Sequence, residues 1–143
     1  MSSPYPAGGP PSGAPGGKTS LGLDSNVGAM LCYVANILCC LGVILSLVFV
    51  ITEKENRFVK FHALQSLFLG GVCVVLLIVV EILGVILGIV HLGILATGLW
   101  FILVLIFLVL WLLAGIKAYG GQWYKLPFIG DLAWNMVGKQ DAA

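Results

Sequence analysis

Two long stretches without charge constrain this chain most strongly. Residues 27–51 contain no charged side chain, and residues 63–116 contain only one, Glu81. As helices these stretches would be about 37 Å and about 80 Å long, whereas the hydrocarbon core of a bilayer is about 30 Å thick. Only 9% of all residues are charged, and a soluble domain carries about 25%. The sequence therefore predicts an all-α integral membrane protein.

The length of the second stretch decides the number of spans. A spanning helix needs at least about 17 residues, so residues 63–116 hold two such helices and a connection, but not three. We predict spanning helices at about 27–51, 61–88 and 98–116, which form a three-helix transmembrane domain over 27–117. Hydropathy alone leaves one continuous helical segment as an alternative for the second stretch.

The two ends of the chain differ in composition from the predicted spans. Residues 1–26 are rich in Pro, Gly and Ser, and such a segment cannot bury enough apolar surface to fold, so we expect a disordered tail. Residues 118–143 form a predicted cytoplasmic interfacial tail, in which 126–138 has the pattern of a short amphipathic helix. The predicted interfacial anchors, basic and aromatic side chains typical of the headgroup region, are Lys117, Tyr119, Trp123, Tyr124, Lys125 and Trp134.

The distribution of basic residues predicts the orientation. Lys54, Arg57 and Lys60 lie in or beside the first connection, and three more lysines follow the last predicted span. The connection between the second and third spans has no Lys or Arg. Because these residues concentrate on the cytoplasmic side, three spans in the inner cell membrane would place the N-terminus outside and the C-terminus in the cytoplasm.

Small and polar side chains follow one side of each of the first two predicted helices. In lipid, small residues let helices approach closely, and polar residues form hydrogen bonds between them. We interpret the two stripes as a packing interface within the chain or between copies of it. The candidate packing residues are Asn36, Gly42, Ser66, Gly70, Gly84 and Gly88.

Three other polar residues are candidates for a functional role. His62 and Gln65 lie near the start of the second predicted helix. Glu81 is the one acidic group of the long apolar stretch, and an ionisable group inside a span is a functional candidate by default. The alternative for Glu81 is a position near the outer headgroups, where a carboxylate is tolerated.

The sequence lacks the patterns that would indicate a catalytic site, a metal site or a nucleic-acid-binding surface. We recognise no nucleophile–base set and no phosphate-binding loop. His62 and His91 would lie about 43 Å apart along a helix, too far to share a metal ion. No basic stripe is present that would bind nucleic acid. We therefore predict that the protein is not an enzyme and has no cofactor, no metal and no nucleic-acid partner.

Three phrases of the sequence resemble a known family. They are residues 18–33, residues 52–66 with Phe-His-Ala-x-Gln at 61–65, and residues 115–133 with Lys-Ala-x-x-Gly-x-x-Tyr-x-x-Pro at 117–127. Over residues 21–138 the chain resembles a family of small bacterial and archaeal membrane proteins of unknown function. That family is distantly similar to the Tic-type component of the chloroplast inner-envelope protein import machinery.

These observations predict a function without catalysis. We expect a structural or accessory subunit that acts through helix packing, with the lipid bilayer and either a second copy or a larger membrane complex as partners. The alternative, which only the resemblance implies, is a component of a membrane translocation or transport system.

Overall fold

Within residues 17–38, 41–54 and 56–139, which the structure, a computed structural model, describes, the chain is α-helical apart from its turns and connections. The helices are α1 (Ser25–Ile37), α2 (Leu41–Thr52), α3 (Arg57–Ile89), α4 (Gly93–Tyr119) and α5 (Ile129–Lys139). α3 is central, because it contacts each of the other four.

The first apolar stretch forms two helices. Gly28 near the start of α1 faces Phe49 near the end of α2, and Asn36 near the end of α1 faces Gly42 near the start of α2. The two helices therefore run antiparallel as a hairpin, and they are about 20 Å and about 18 Å long. The predicted single helix at 27–51 is wrong, because a hydropathy average does not distinguish one long helix from two short apolar helices that fold back.

The number of predicted spans changes accordingly. Among the described helices, two are long and apolar enough to cross a bilayer, Arg57–Ile89 and Gly93–Tyr119. Their lengths are about 50 Å and about 40 Å. They run antiparallel, and the turn between them lies at Val90–Leu92, so the second apolar stretch is two helices. Three spanning helices are thus not confirmed.

The segment before α1 lies at the open end of the hairpin. The Ser20 backbone N–H and Oγ donate to Glu53 Oε1 at 2.6 and 2.8 Å, and Asn56 Nδ2 donates to Ser25 Oγ. Residues 17–26, predicted to be disordered, are therefore held against the connection between α2 and α3 by hydrogen bonds to Glu53 and Asn56. The rest of the predicted disordered tail lies outside the described residues.

The C-terminal segment returns to the same end. Gly121, with a φ of 70°, follows the end of α4 and turns the chain back across the start of α3. α5 then packs on α3, where Ala133 and Val137 form a small core with Phe61 and Leu64. The predicted short C-terminal helix thus exists, but it begins at Ile129 and lies against the bundle.

The described parts of both chain ends therefore lie at one end of the bundle, which we call the hairpin base. The predicted placement of the N-terminus and C-terminus on opposite sides of a membrane is therefore not confirmed, because α1 and α2 form a hairpin that returns to this end. The seven Lys and Arg residues of the chain all belong to segments at the hairpin base: Lys18, Lys54, Arg57, Lys60, Lys117, Lys125 and Lys139.

Candidate functional site

Five polar side chains are buried where α1, α3 and the segment after α4 meet. This polar cluster comprises Tyr33, Asn36, His62, Gln65 and Ser66, of which only Asn36 has any accessible surface, at 6%. His62, Gln65 and Ser66 come together on one side of α3 because side chains three and four residues apart are neighbours on a helix. The cluster is the largest concentration of buried polar groups among the described residues.

His62 is held through both ring nitrogens. Its Nε2 lies 3.0 Å from the backbone oxygen of Gln122, and its Nδ1 lies 3.0 Å from the hydroxyl oxygen of Tyr33. A carbonyl oxygen only accepts, so Nε2 carries the hydrogen. The Tyr33 hydroxyl oxygen accepts from Gln65 Nε2, and Nδ1 is the acceptor within reach of the hydroxyl hydrogen. This arrangement fixes a neutral imidazole and one tautomer.

Gln65 completes the connection with three hydrogen bonds. Its Nε2 donates to the Tyr33 hydroxyl oxygen at 2.8 Å and to the Tyr124 backbone oxygen at 3.0 Å. Its Oε1 accepts from the Leu126 backbone N–H at 3.1 Å. The chain of bonds therefore runs from the segment after α4, through α3, to α1, with each polar group paired.

Asn36 and Ser66 connect the C-terminal end of α1 to α3 by further hydrogen bonds. Asn36 Nδ2 donates to Ser66 Oγ at 2.6 Å and to the Ser66 backbone oxygen at 3.3 Å. Ser66 Oγ in turn donates to the Cys32 backbone oxygen at 2.7 Å. Gly70 lies one turn farther along α3, and a Cβ there would be 3.7 Å from Asn36 Oδ1. Small residues thus leave room for the amide.

Aromatic rings enclose the imidazole. The rings of Phe58, Phe61 and Tyr33 meet His62 edge to face, with centroids 4.6, 5.1 and 5.8 Å away. Edge-to-face contacts of this kind are favourable, and they leave the ring no accessible surface. The cluster can hold three segments of the chain together, but a substrate does not reach it in this conformation.

Two of the other three packing candidates lie at different helix contacts. Gly42 is the tightest, because a Cβ there would collide with the backbone nitrogen and side chain of Asn36. Gly84 lies at the contact between α3 and α4, where its Cβ would be 3.5 Å from Ala96. Gly88 is exposed, and a Cβ would find open space there.

Glu81 does not join the polar cluster. It is exposed on the far half of α3, about 24 Å along the helix from Gln65. It lines a cavity of about 160 Å³ together with Thr97 and Trp100 of α4. The structure therefore brings together two of the three predicted polar residues and leaves the third near the opposite end.

The predicted anchors of the tail mostly face the protein itself. The Trp123 ring packs on the rings of Phe61 and Trp134, with centroids 5.4 and 5.5 Å away. Lys125 Nζ lies 3.2 Å from Asp131 Oδ1 and 4.5 Å from the centre of the Trp134 ring. The remaining anchors differ in exposure: Tyr119 is exposed, whereas Lys117 and Tyr124 are half-buried.

Sequence reasoning did not select Tyr33 or Glu53. The Tyr33 hydroxyl forms hydrogen bonds with residues that are 29 and 32 positions away in the sequence. Glu53 is buried and accepts a hydrogen bond from Ser20, which lies 33 positions away. Local spacing carries no signal for such distant partners. A tyrosine inside an otherwise apolar run was the one available sign, because a buried tyrosine hydroxyl usually needs a partner.

Docking of α5 depends on Gly130. A Cβ at this position would lie 2.7 Å from the Cα of Lys125 and 2.8 Å from Gln65 Oε1. Since the backbone of Lys125 cannot move away like a flexible side chain, Gly130→Ala should loosen α5 and speed amide exchange across 129–139 by about tenfold or more, a weakening of at least about 1.4 kcal/mol. Gly138→Ala is the control, because its Cβ meets nothing. Equal protection in both variants would contradict the docking.

Comparison with known proteins identifies the family. Residues 24–133, which contain the whole polar cluster, match the magnetosome magnetite crystal formation protein family. The chain belongs to this family. It is 44% identical over 118 residues to the UPF0132 membrane protein MJ1443 of Methanocaldococcus jannaschii, an alignment that covers 82% of this chain and 92% of the relative.

A second relative is aligned with this chain over nearly the relative's full length. The UPF0132 membrane protein of Archaeoglobus fulgidus is 35% identical over 116 residues, which are 81% of this chain and 98% of that protein. No solved structure matches the chain. The similarity to small archaeal membrane proteins of unknown function is thus confirmed, and the names of these relatives assign no enzymatic activity. The comparisons give no support to the further similarity with the Tic-type component.

Proposed function

We propose that the protein is a structural or accessory membrane protein that acts through its helix-packed body and not through catalysis. The polar cluster carries this proposal. The side-chain hydrogen-bonding groups of Tyr33, His62, Gln65 and Ser66 bond within the chain, and these four side chains have no accessible surface. A reacting group must come within hydrogen-bond reach of its substrate, whereas this cluster joins α1, α3 and the segment before α5.

The proposed membrane arrangement is two spans and one re-entrant hairpin. α3 and α4 cross the bilayer, while α1 and α2 enter it and return to the same face, since each is shorter than the core of about 30 Å. The outward side chains of α2 are apolar and exposed, among them Leu41, Ile44, Leu47 and Ile51. Lipid is the solvent that such a surface requires.

The hairpin base would face the cytoplasm of a multi-pass inner membrane protein, because all seven basic residues lie there. Reporter domains fused to the N-terminus and to the C-terminus should therefore both be found on the cytoplasmic side. An N-terminal reporter on the outer side together with a C-terminal reporter in the cytoplasm would contradict this arrangement and support three spans.

The exposed sides of α3 and α4 would contact lipid, a second copy or a larger membrane complex. The alternative function, a translocation component, would need polar groups at successive depths. The buried polar side chains lie instead in the half of the bundle near the hairpin base, and in the far half of α3 Val80 is the buried residue. The accessory role is therefore favoured. This role also agrees with a family that is described by magnetosome magnetite crystal formation and not by a reaction.

Complementation of a deletion strain tests the non-catalytic role. We would compare His62→Leu and Gln65→Leu in the polar cluster with Gly42→Ala and Gly130→Ala, which disturb packing without removing a polar group. If the cluster is structural, residual function should be proportional to the amount of folded protein, and the proportionality should be the same for all four variants. Loss of function in His62→Leu at a normal folded level would show that the imidazole has a chemical role.

A further inference from the structure

The two halves of the bundle differ in width. Near the hairpin base, α1, α2, α3 and α4 lie side by side and α5 packs on α3. Eleven of the twelve buried residues of α3 lie between Phe58 and Cys73, and the remaining one is Val80. Beyond the tip of the hairpin the described chain therefore consists of α3 and α4 alone.

The hairpin ends about halfway along α3. Ile37 and Val43, on either side of its tip, line an apolar cavity of about 290 Å³ together with Cys73 and Leu77. Cys73 is the midpoint of α3, which runs from Arg57 to Ile89. A helix pair of about 20 Å that starts at the headgroup surface thus reaches about the middle of a bilayer that is about 40–45 Å thick with its headgroups, and the opposite leaflet meets two helices only.

α5 adds further apolar surface on the wide side. One of its faces, with Ala133 and Val137, is buried against α3. Another face points outward, with Leu132 and Met136 50% and 39% exposed, and Phe128, directly before the helix, is 91% exposed. Phe128 has a φ of 63°, which is unfavourable for a bulky residue.

The outward face of α5 lies at the depth of the hairpin. Ile129 and Leu132 line an apolar cleft of about 410 Å³ with Phe68 and Val72 of α3. Phe68 and Val72 are about 17 and about 23 Å from the start of α3, hence within the half that the hairpin occupies, and the cleft extends to Val75 and Leu76, just beyond the hairpin tip. Acyl chains of the same leaflet would fill this cleft.

We propose that the protein is a membrane wedge that favours bilayers whose cytoplasmic leaflet is convex. This inference rests on the membrane arrangement proposed above. The hairpin adds two helices to the cytoplasmic leaflet, each with a diameter of about 10 Å and thus a cross-section of roughly 80 Å², and α5 inserts apolar side chains beside them. A bilayer with an excess of area in one leaflet bends so that this leaflet lies on the convex side. The partner is therefore the lipid surface itself, recognised by its shape.

Vesicles of different curvature test the wedge. The full chain, with a cleavable tag at each terminus, is reconstituted in phosphatidylcholine–phosphatidylglycerol bilayers, and one preparation is divided into small sonicated and large freeze–thawed vesicles. External protease then reports which tags face outward, where the outer leaflet of a small vesicle is convex. We expect both tags to be cleaved together, and the ratio of outward to inward molecules to be about threefold higher in small vesicles, a bias of about 0.7 kcal/mol.

Two outcomes would separate the failure of the wedge from the failure of the membrane arrangement. Tags that are cleaved together in an equal ratio at both sizes, or in a lower ratio in small vesicles, would overturn the wedge and leave the arrangement intact. Tags protected on opposite sides would overturn the arrangement. Phe128→Asn, which tolerates a positive φ but removes the apolar ring, should reduce the ratio, whereas the exposed Asn135→Ser should leave it unchanged.

Discussion

Gly42→Ala is expected to destabilise the protein by about 3 kcal/mol or more, at the upper end of the range for overpacked sites. A Cβ at this position would overlap the backbone nitrogen and Cα of Asn36, so no change of side-chain rotamer could relieve it. α2 would have to move away from α1, and Asn36 would be displaced from Ser66. Unfolding in mixed detergent micelles, followed by circular dichroism, measures the loss.

Gly71→Ala is the matched control for this substitution. Gly71 is also helical and faces open space, where a Cβ finds no atom within 4 Å. Since alanine is favoured over glycine in a helix by about 1 kcal/mol, this variant should be as stable as the wild type or slightly more so. Similar losses of stability in the two variants would contradict the close approach of α1 and α2.

Gln65→Leu is expected to destabilise the protein by about 2–6 kcal/mol. The substitution nearly keeps the side-chain volume but removes three hydrogen bonds. The Leu126 N–H and the Tyr124 carbonyl would stay buried without a partner, and each such group costs about 1–3 kcal/mol. Because these groups belong to the segment that carries α5, amide exchange in 129–139 should also become faster.

Gln122→Ala provides the comparison within the same network. His62 bonds to the backbone oxygen of Gln122, whereas the Gln122 side chain is exposed. Its removal should change stability by no more than about 0.5 kcal/mol, as at an ordinary surface site. A Gln65→Leu variant as stable as Gln122→Ala would show that the polar cluster does not hold the C-terminal segment.

Much of the fold follows from the sequence where the signal is local. The second apolar stretch forms two long helices, as predicted, because at about 80 Å it far exceeds one span and is too short for three with their connections. The amphipathic pattern of 126–138 gave a helix, although the pattern does not say which apolar face meets the bundle. Ala133 faces α3 and Leu132 faces outward, since their neighbours come from another part of the chain.

The hairpin was beyond the reach of hydropathy. A stretch of 25 apolar residues satisfies the length of a span, and the turn between α1 and α2 has no Pro or charged residue to mark it. The informative features were Asn36 and Gly42, which lie close together in the interior but were assigned to a single helix. The position of Lys18 was a second sign, since the hairpin places every basic residue on one side.

The candidate site shows the same division between local and distant signals. His62 and Gln65 could be selected because they are polar residues inside a predicted span. Their role depends on Tyr33 and on backbone groups of Gln122, Tyr124 and Leu126, about 30 and 60 positions away. Only the folded chain shows that these bonds are complete, and hence that the cluster holds helices in place.

The distance between residues 27 and 51 tests the central claim most directly. Spin labels at these two positions, attached by non-cysteine chemistry because the chain has four native cysteines, would be measured in nanodiscs. The hairpin predicts a separation below about 20 Å, close to the spacing of two packed helices plus the label arms. One continuous spanning helix predicts about 36 Å, and a single population at that distance would contradict the re-entrant hairpin.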